Sequence, residues 1–97
     1  MIIVRNVFTA KPGSASKLAK VFKTAMANME GCSVRVLTDL AGGMNTVVME
    51  MEIDSLAAWE QLMAKYMSGA MPQEMKDAMA GYNELYATGQ REIWQVV

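Results

Sequence analysis

The chain has 97 residues, 53% of them apolar, a net charge of −1 and no histidine. A domain of this size folds on a modest core, so this apolar content predicts that part of the surface is covered by a partner. The slightly acidic balance argues against the clustered basic face that nucleic acid requires. It also gives no pull toward an anionic membrane.

Without histidine, no His-based triad, His metal site or imidazole acid–base pair can form within one chain. Cys32 stands alone, so no internal disulfide can form, and a reducing, cytoplasmic setting is expected. No apolar run approaches the ~20 residues of a spanning helix.

Ile2 to Ala10 is β-rich and ends at the turn signal "KPG". Alternation puts Ile2, Val4, Asn6 and Phe8 on one face and Ile3, Arg5, Val7 and Thr9 on the other. Ser14 or Ser16 can cap an amphipathic helix carrying Ala15, Leu18, Phe22, Ala25, Met26 and Met29, with Gly31 as its stop. Cys32 to Leu40 and Thr46 to Ile53 read as a hairpin around the Gly-rich "AGGMN". In its second strand Val47, Met49, Met51 and Ile53 alternate with Val48, Glu50 and Glu52.

Asp54 or Ser55 caps a second helix bearing Leu56, Trp59, Leu62, Met63 and Tyr66. The stretch "SGAMP" breaks that helical region near residues 68–72, and Pro72 opens a shorter helix striped by Met75, Met79, Tyr82 and Tyr86. Gly89 stops it, and Gln90 to Val97 is the last strand. In that strand the choice between Ile93/Val97 and Trp94/Val96 as the buried row stays open.

The order βαββαβ predicts one α+β domain over residues 1–97, a ferredoxin-like four-stranded antiparallel sheet with helices on one face. The other face would carry Ile3, Arg5, Val7, Val48, Glu50 and Glu52. That row is too apolar for water and too charged for a monomer core. A homodimer packed sheet to sheet is therefore expected, with Glu50, Glu52 and Glu92 as interface or surface charges.

The opening strand, "KPG", the hairpin, "DSLAAWEQL" and the closing "GQREIWQVV" together span nearly the whole chain. In them it resembles the dimeric α+β barrel superfamily, most of all its small NIPSNAP-like and antibiotic-biosynthesis-monooxygenase-like proteins. The resemblance implies a homodimer of face-to-face sheets and a small-molecule cavity between sheet and helices. Members include cofactor-independent oxygenases, haem-degrading enzymes and isomerases, so the resemblance alone selects no function. The haem-degrading members use an Asn late in the first strand, a Trp in the second helix and an iron-ligating His. Asn6 matches the first, Trp59 lies about one helical turn from the second, and the His is missing. Haem degradation is disfavoured.

Asn6 sits in an apolar row, where its amide could hold a substrate carbonyl or bond a backbone group or buried water. With Phe8, Trp59, Tyr66, Tyr82 and Tyr86 it could line a pocket for a planar apolar compound such as a polyketide or quinone. The plainer alternative is that these rings complete a small core. Cys32 reads as a small packed residue, and neither a metal nor a cofactor is expected.

Met63, Met67, Met71, Met75 and Met79 stand four residues apart. They read as two pairs on two helices with Met71 between, adaptable filler rather than a soft-metal site. If a cavity exists, they are its pliable wall. Two functional classes stay open: a cofactor-free monooxygenase-like enzyme, and a non-catalytic small-molecule-binding or assembly module.

Overall fold

The computed structural model describes residues 1–67 and 71–97. Strands β1 (Ile2–Ala10), β2 (Ser33–Thr38), β3 (Thr46–Ile53) and β4 (Tyr86–Gln95) form an antiparallel sheet in the order β2-β3-β1-β4. This is the ferredoxin-like α+β arrangement that the element order predicts. β1 and β3 are central, and their register pairs Val4 with Met51, Asn6 with Met49 and Phe8 with Val47 on the helix side. Ile3–Glu52, Arg5–Glu50 and Val7–Val48 pair on the other side. Both rows follow the alternation read from the sequence. The molecule measures 36 × 36 × 19 Å. Its short dimension holds one sheet and one helical layer, about 10 Å each, so the chain leaves one sheet face without a helical layer.

Helix α1 (Ala15–Ala25) lies tight on the sheet, burying Leu18, Phe22 and Ala25 at i, i+4 and i+7. It ends well before Gly31. The Met26 N–H still reaches the Phe22 carbonyl at 3.0 Å, but Ala27 bonds Thr24 and Met29 bonds Met26, the shorter reach of turns. β2 is also shorter than Cys32 to Leu40, because Asp39 leaves the ladder to close the hairpin loop. Its Oδ1 accepts the Thr46 N–H at 2.9 Å.

Helix α2 (Leu56–Lys65) starts at Ser55, whose hydroxyl accepts the Ala58 N–H at 3.1 Å, so the serine rather than Asp54 is the cap. No residue of α2 is fully buried; Ala58, Trp59 and Leu62 only lean on the core. Helix α3 (Gln73–Ala78) follows Pro72. Of the expected break, residues 68–70 lie outside the described part.

The C-terminal third departs from expectation. Gly81 takes a φ of 77°, the left-handed conformation glycine adopts freely, and ends the α3 region. A 3₁₀ turn follows at Tyr82–Glu84, and β4 begins at Tyr86. Tyr82 and Tyr86 therefore share no helical stripe, and Gly89 is a strand residue rather than a helix stop. The reason is the close approach of Phe8, its cross-strand partner. A Cβ on Gly89 would lie 3.0 Å from the Phe8 ring. Gly89→Ala is expected to cost about 1–3 kcal/mol through overpacking, read as a lowered urea midpoint. An unchanged midpoint would mean that the Phe8 ring yields freely.

The β4 register also settles its faces. Ile93 pairs with Val4 and Arg91 with Asn6 on the helix side, while Trp94 pairs with Ile3 and Glu92 with Arg5 on the open side. Among the described residues, no helix is long and apolar enough to cross a membrane.

Candidate functional site

Because α1 seats closely and α2 does not, space remains between the sheet and the second helical region. It forms an open cavity of about 660 Å³. The six residues nominated from sequence meet on its walls: Asn6 and Phe8 from β1, Trp59 from α2, Tyr66 just beyond α2, Tyr82 from the 3₁₀ turn and Tyr86 from β4. Of all the methionines in the chain, only Met1 and Met44 stay off its lining. Two helices, one strand and the segments beside them thus bring thioethers from distant sequence positions to one space.

The rings are not spread evenly. Phe8 packs on Phe22 and on Tyr86, each at 4.9 Å between centroids, and Tyr82 closes the group at 6.0 Å from Phe22 and 5.8 Å from Tyr86. These are the tilted and edge-on geometries that aromatic pairs prefer. Burial, reinforced by Tyr86, pushes the Tyr82 hydroxyl above its ordinary range. It is a protonated donor at neutral pH, not a base.

The polar feature of the cavity is a pair that crosses strands. Asn6 is buried, and its Oδ1 accepts a hydrogen bond from Arg91 Nε at 2.8 Å. The Arg91 guanidinium carbon sits 5.4 Å from the centroid of the Trp59 ring, in cation–π range. The Trp59 indole N–H is buried with no acceptor among the described residues. Sequence reasoning missed Arg91. The signal was the topology: pairing β1 antiparallel to the last strand places Arg91 opposite Asn6, once the register of that pairing is known.

A second groove, about 680 Å³, runs outside α1 and shares Tyr66 and Met75 with the cavity. Its polar lining comes from Lys20, Lys23, Thr24, Asn28 and Glu74, none of them buried, so it lacks the fixed polar group that orients a ligand.

On the open face all six interface candidates share one side of the sheet. Glu50 is nevertheless only 2% exposed, because two guanidinium groups cover it. Arg5 donates to Oε2 from Nε at 3.1 Å and from Nη2 at 2.9 Å. Arg35 donates to Oε1 from Nε at 2.9 Å and also from Nη2. Each carboxylate oxygen thus meets one fork. The Arg35 hydrogen bond, followed by Arg5, holds the Glu50 carboxyl below its ordinary range against the opposing effect of burial. Leu37 and Trp94 lie exposed on the same face. Cys32 is partly buried, and burial pushes its thiol up, away from reactive thiolate chemistry.

Solved structures share this architecture. A candidate antibiotic biosynthesis monooxygenase from Chloroflexus aurantiacus aligns over 99% of this chain and 92% of its own, at 18% identity and a TM-score of 0.73. An uncharacterised NIPSNAP domain protein from Burkholderia xenovorans aligns over 100% and 95%, at 11% identity and a TM-score of 0.78. A NIPSNAP family protein from Agrobacterium tumefaciens aligns over 99% and 92%, at 12% identity and a TM-score of 0.77. The chain has the fold of the NIPSNAP and antibiotic-monooxygenase-like proteins. No protein-family model matches it, and no curated protein matches it by sequence. Identities this low carry the NIPSNAP-like fold and none of its chemistry, so function rests on the cavity's own residues.

Proposed function

We propose that this protein binds an apolar or aromatic small molecule in its methionine-lined cavity and works as a homodimer. The observation that carries this reading is the cavity itself: pliable apolar walls around one fixed polar pair, Asn6 and Arg91. Ligand sites are built this way, with many apolar contacts for affinity and few polar ones for orientation. A thermal-shift panel of quinones, flavins, haem and fatty acids tests it. A bound compound raises the unfolding midpoint by mass action, and a panel that leaves the midpoint unmoved sinks the reading.

The homodimer is supported by the open sheet face, where exposed Leu37 and Trp94 flank half-buried Ile3, Val7 and Val48. An apolar patch of this kind marks an interface. Light scattering on a size-exclusion peak at low micromolar concentration is expected to give twice the chain mass. Val48→Glu is expected to give the chain mass without unfolding, because Val48 points away from the core. A wild-type peak at the chain mass would overturn the homodimer.

One observation favours a second reading, cofactor-free oxygenation. A guanidinium fixed beside an apolar cavity can stabilise an enolate forming on a substrate. Oxygen-electrode traces with each compound that raises the midpoint separate the two, since a simple binder consumes no oxygen.

A further inference from the structure

We infer that the ligand of the methionine cavity is a flexible-chain monocarboxylic acid, its carboxylate on Arg91 and its chain among the thioethers. This rests on the cavity-binding reading above.

Charge is the first argument. The chain has three arginines, at positions 5, 35 and 91. Arg5 and Arg35 share Glu50, whereas no carboxylate lies within ion-pair distance of Arg91 among the described residues. Arg91 is itself exposed and is held by buried Asn6, and a cation at the edge of an apolar cavity without a counter-charge favours an anionic guest. Asn6 is neutral and engages only Nε. It therefore fixes the direction of the guanidinium and leaves both terminal nitrogens for a carboxylate fork.

The shape of the walls is the second argument. A flat ring system gains affinity by stacking on open aromatic faces. Here Phe8, Phe22, Tyr82 and Tyr86 pack on one another, and Arg91 lies over the Trp59 ring. The rest of the lining is nine methionines beside Tyr66, Asn6, Gly89 and Gln90. Methionine side chains are unbranched and adaptable, and they mould to a bending chain without demanding a plane.

Isothermal titration at pH 8 with octanoate, decanoate, methyl decanoate and anthraquinone-2-carboxylate tests both arguments. Decanoate is expected to bind at least about tenfold more tightly than its methyl ester, the worth of a charge-assisted hydrogen bond. It is also expected to outbind octanoate, by up to about fourfold for each added methylene. Arg91→Gln is expected to erase the preference for acid over ester while the ester still binds. Asn6→Asp is expected to do the same, by giving the guanidinium an internal carboxylate. Far-UV circular dichroism checks that both variants fold, and the wild-type comparison of acid with ester needs neither. Equal binding of acid and ester overturns the carboxylate assignment and leaves the cavity reading standing. Tighter binding of the planar acid than of decanoate overturns the chain assignment alone. Failure of all four compounds to bind the wild type overturns both the inference and the reading beneath it.

Discussion

Glu50→Gln is expected to lower stability by about 2–3 kcal/mol at neutral pH and to flatten the response to acid. The substitution keeps the shape and removes the charge. It leaves Arg5 and Arg35 facing each other across an amide oxygen that cannot serve two forks. Removing one partner of a buried ion pair typically costs about 3–5 kcal/mol. A discount applies because Arg5 and Arg35 are 36% and 63% exposed, so water can take back part of their charge.

The sign of the pH effect follows from Glu50 itself, whose folded-state pKa is depressed, first by the Arg35 hydrogen bond. Its contribution is complete above the unfolded carboxylate pKa and is lost as pH falls through the folded value. Wild type should therefore shed stability in acid more steeply than the variant. Urea unfolding from neutral pH down through the carboxylate range measures both effects, and coincident curves would remove Glu50 from any account of the sheet. If a second sheet covers this face, the arginines lose their water. The cost of Glu50→Gln then exceeds the discounted figure and grows with protein concentration.

The same strands show what a sequence reader can and cannot see. The two faces of β1 and β3 were legible because their alternation is strict and their pairing follows from the element order. Glu50 was legible as a residue of the open face. That it lies buried there was not, because its cover comes from Arg35 on the neighbouring strand and depends on register. The C-terminal third misled for a local reason. Tyr82 and Tyr86 stand four apart, the helical interval, and Gly89 looks like a helix stop. The tertiary cause, the Phe8 ring lying against Gly89, has no sequence signature.

Arg91 lay inside the strand expected at Gln90 to Val97, but its face is decided only by pairing to Asn6. The methionines were half legible. Alternation had already placed Met49 and Met51 on the helix side, and Met63 and Met75 do lie on two helices. But Met67 and Met79 fall just past the ends of α2 and α3, and Met26 and Met29 reach the cavity because α1 ends early.

Phe22→Ala is expected to have a large effect on the free protein, a loss of about 3–5 kcal/mol. That is a large share of the ~5–15 kcal/mol typical of a domain. Phe22 is 1% exposed, and its ring joins α1 to Phe8 on the sheet and to Tyr82 in the 3₁₀ turn. Truncation removes the transfer energy of the ring and leaves a void, which neighbours fill only in part. The position of that void gives a second expectation. Phe22 lines the methionine cavity, so the new space is continuous with it, and if that cavity holds the proposed ligand a bulkier one can occupy both. Leu18 is the control. It is fully buried one turn earlier on α1 and does not line the cavity. Leu18→Ala should cost about 2–5 kcal/mol that no ligand returns. Urea unfolding gives the two losses, and midpoint shifts with a series of cavity ligands of increasing size separate them. A Phe22→Ala variant that prefers larger ligands than wild type, beside a Leu18→Ala variant with unchanged preference, places the Phe22 ring at the boundary between core and site. Equal preference in both variants would mean that α1 closes the gap by settling onto the sheet.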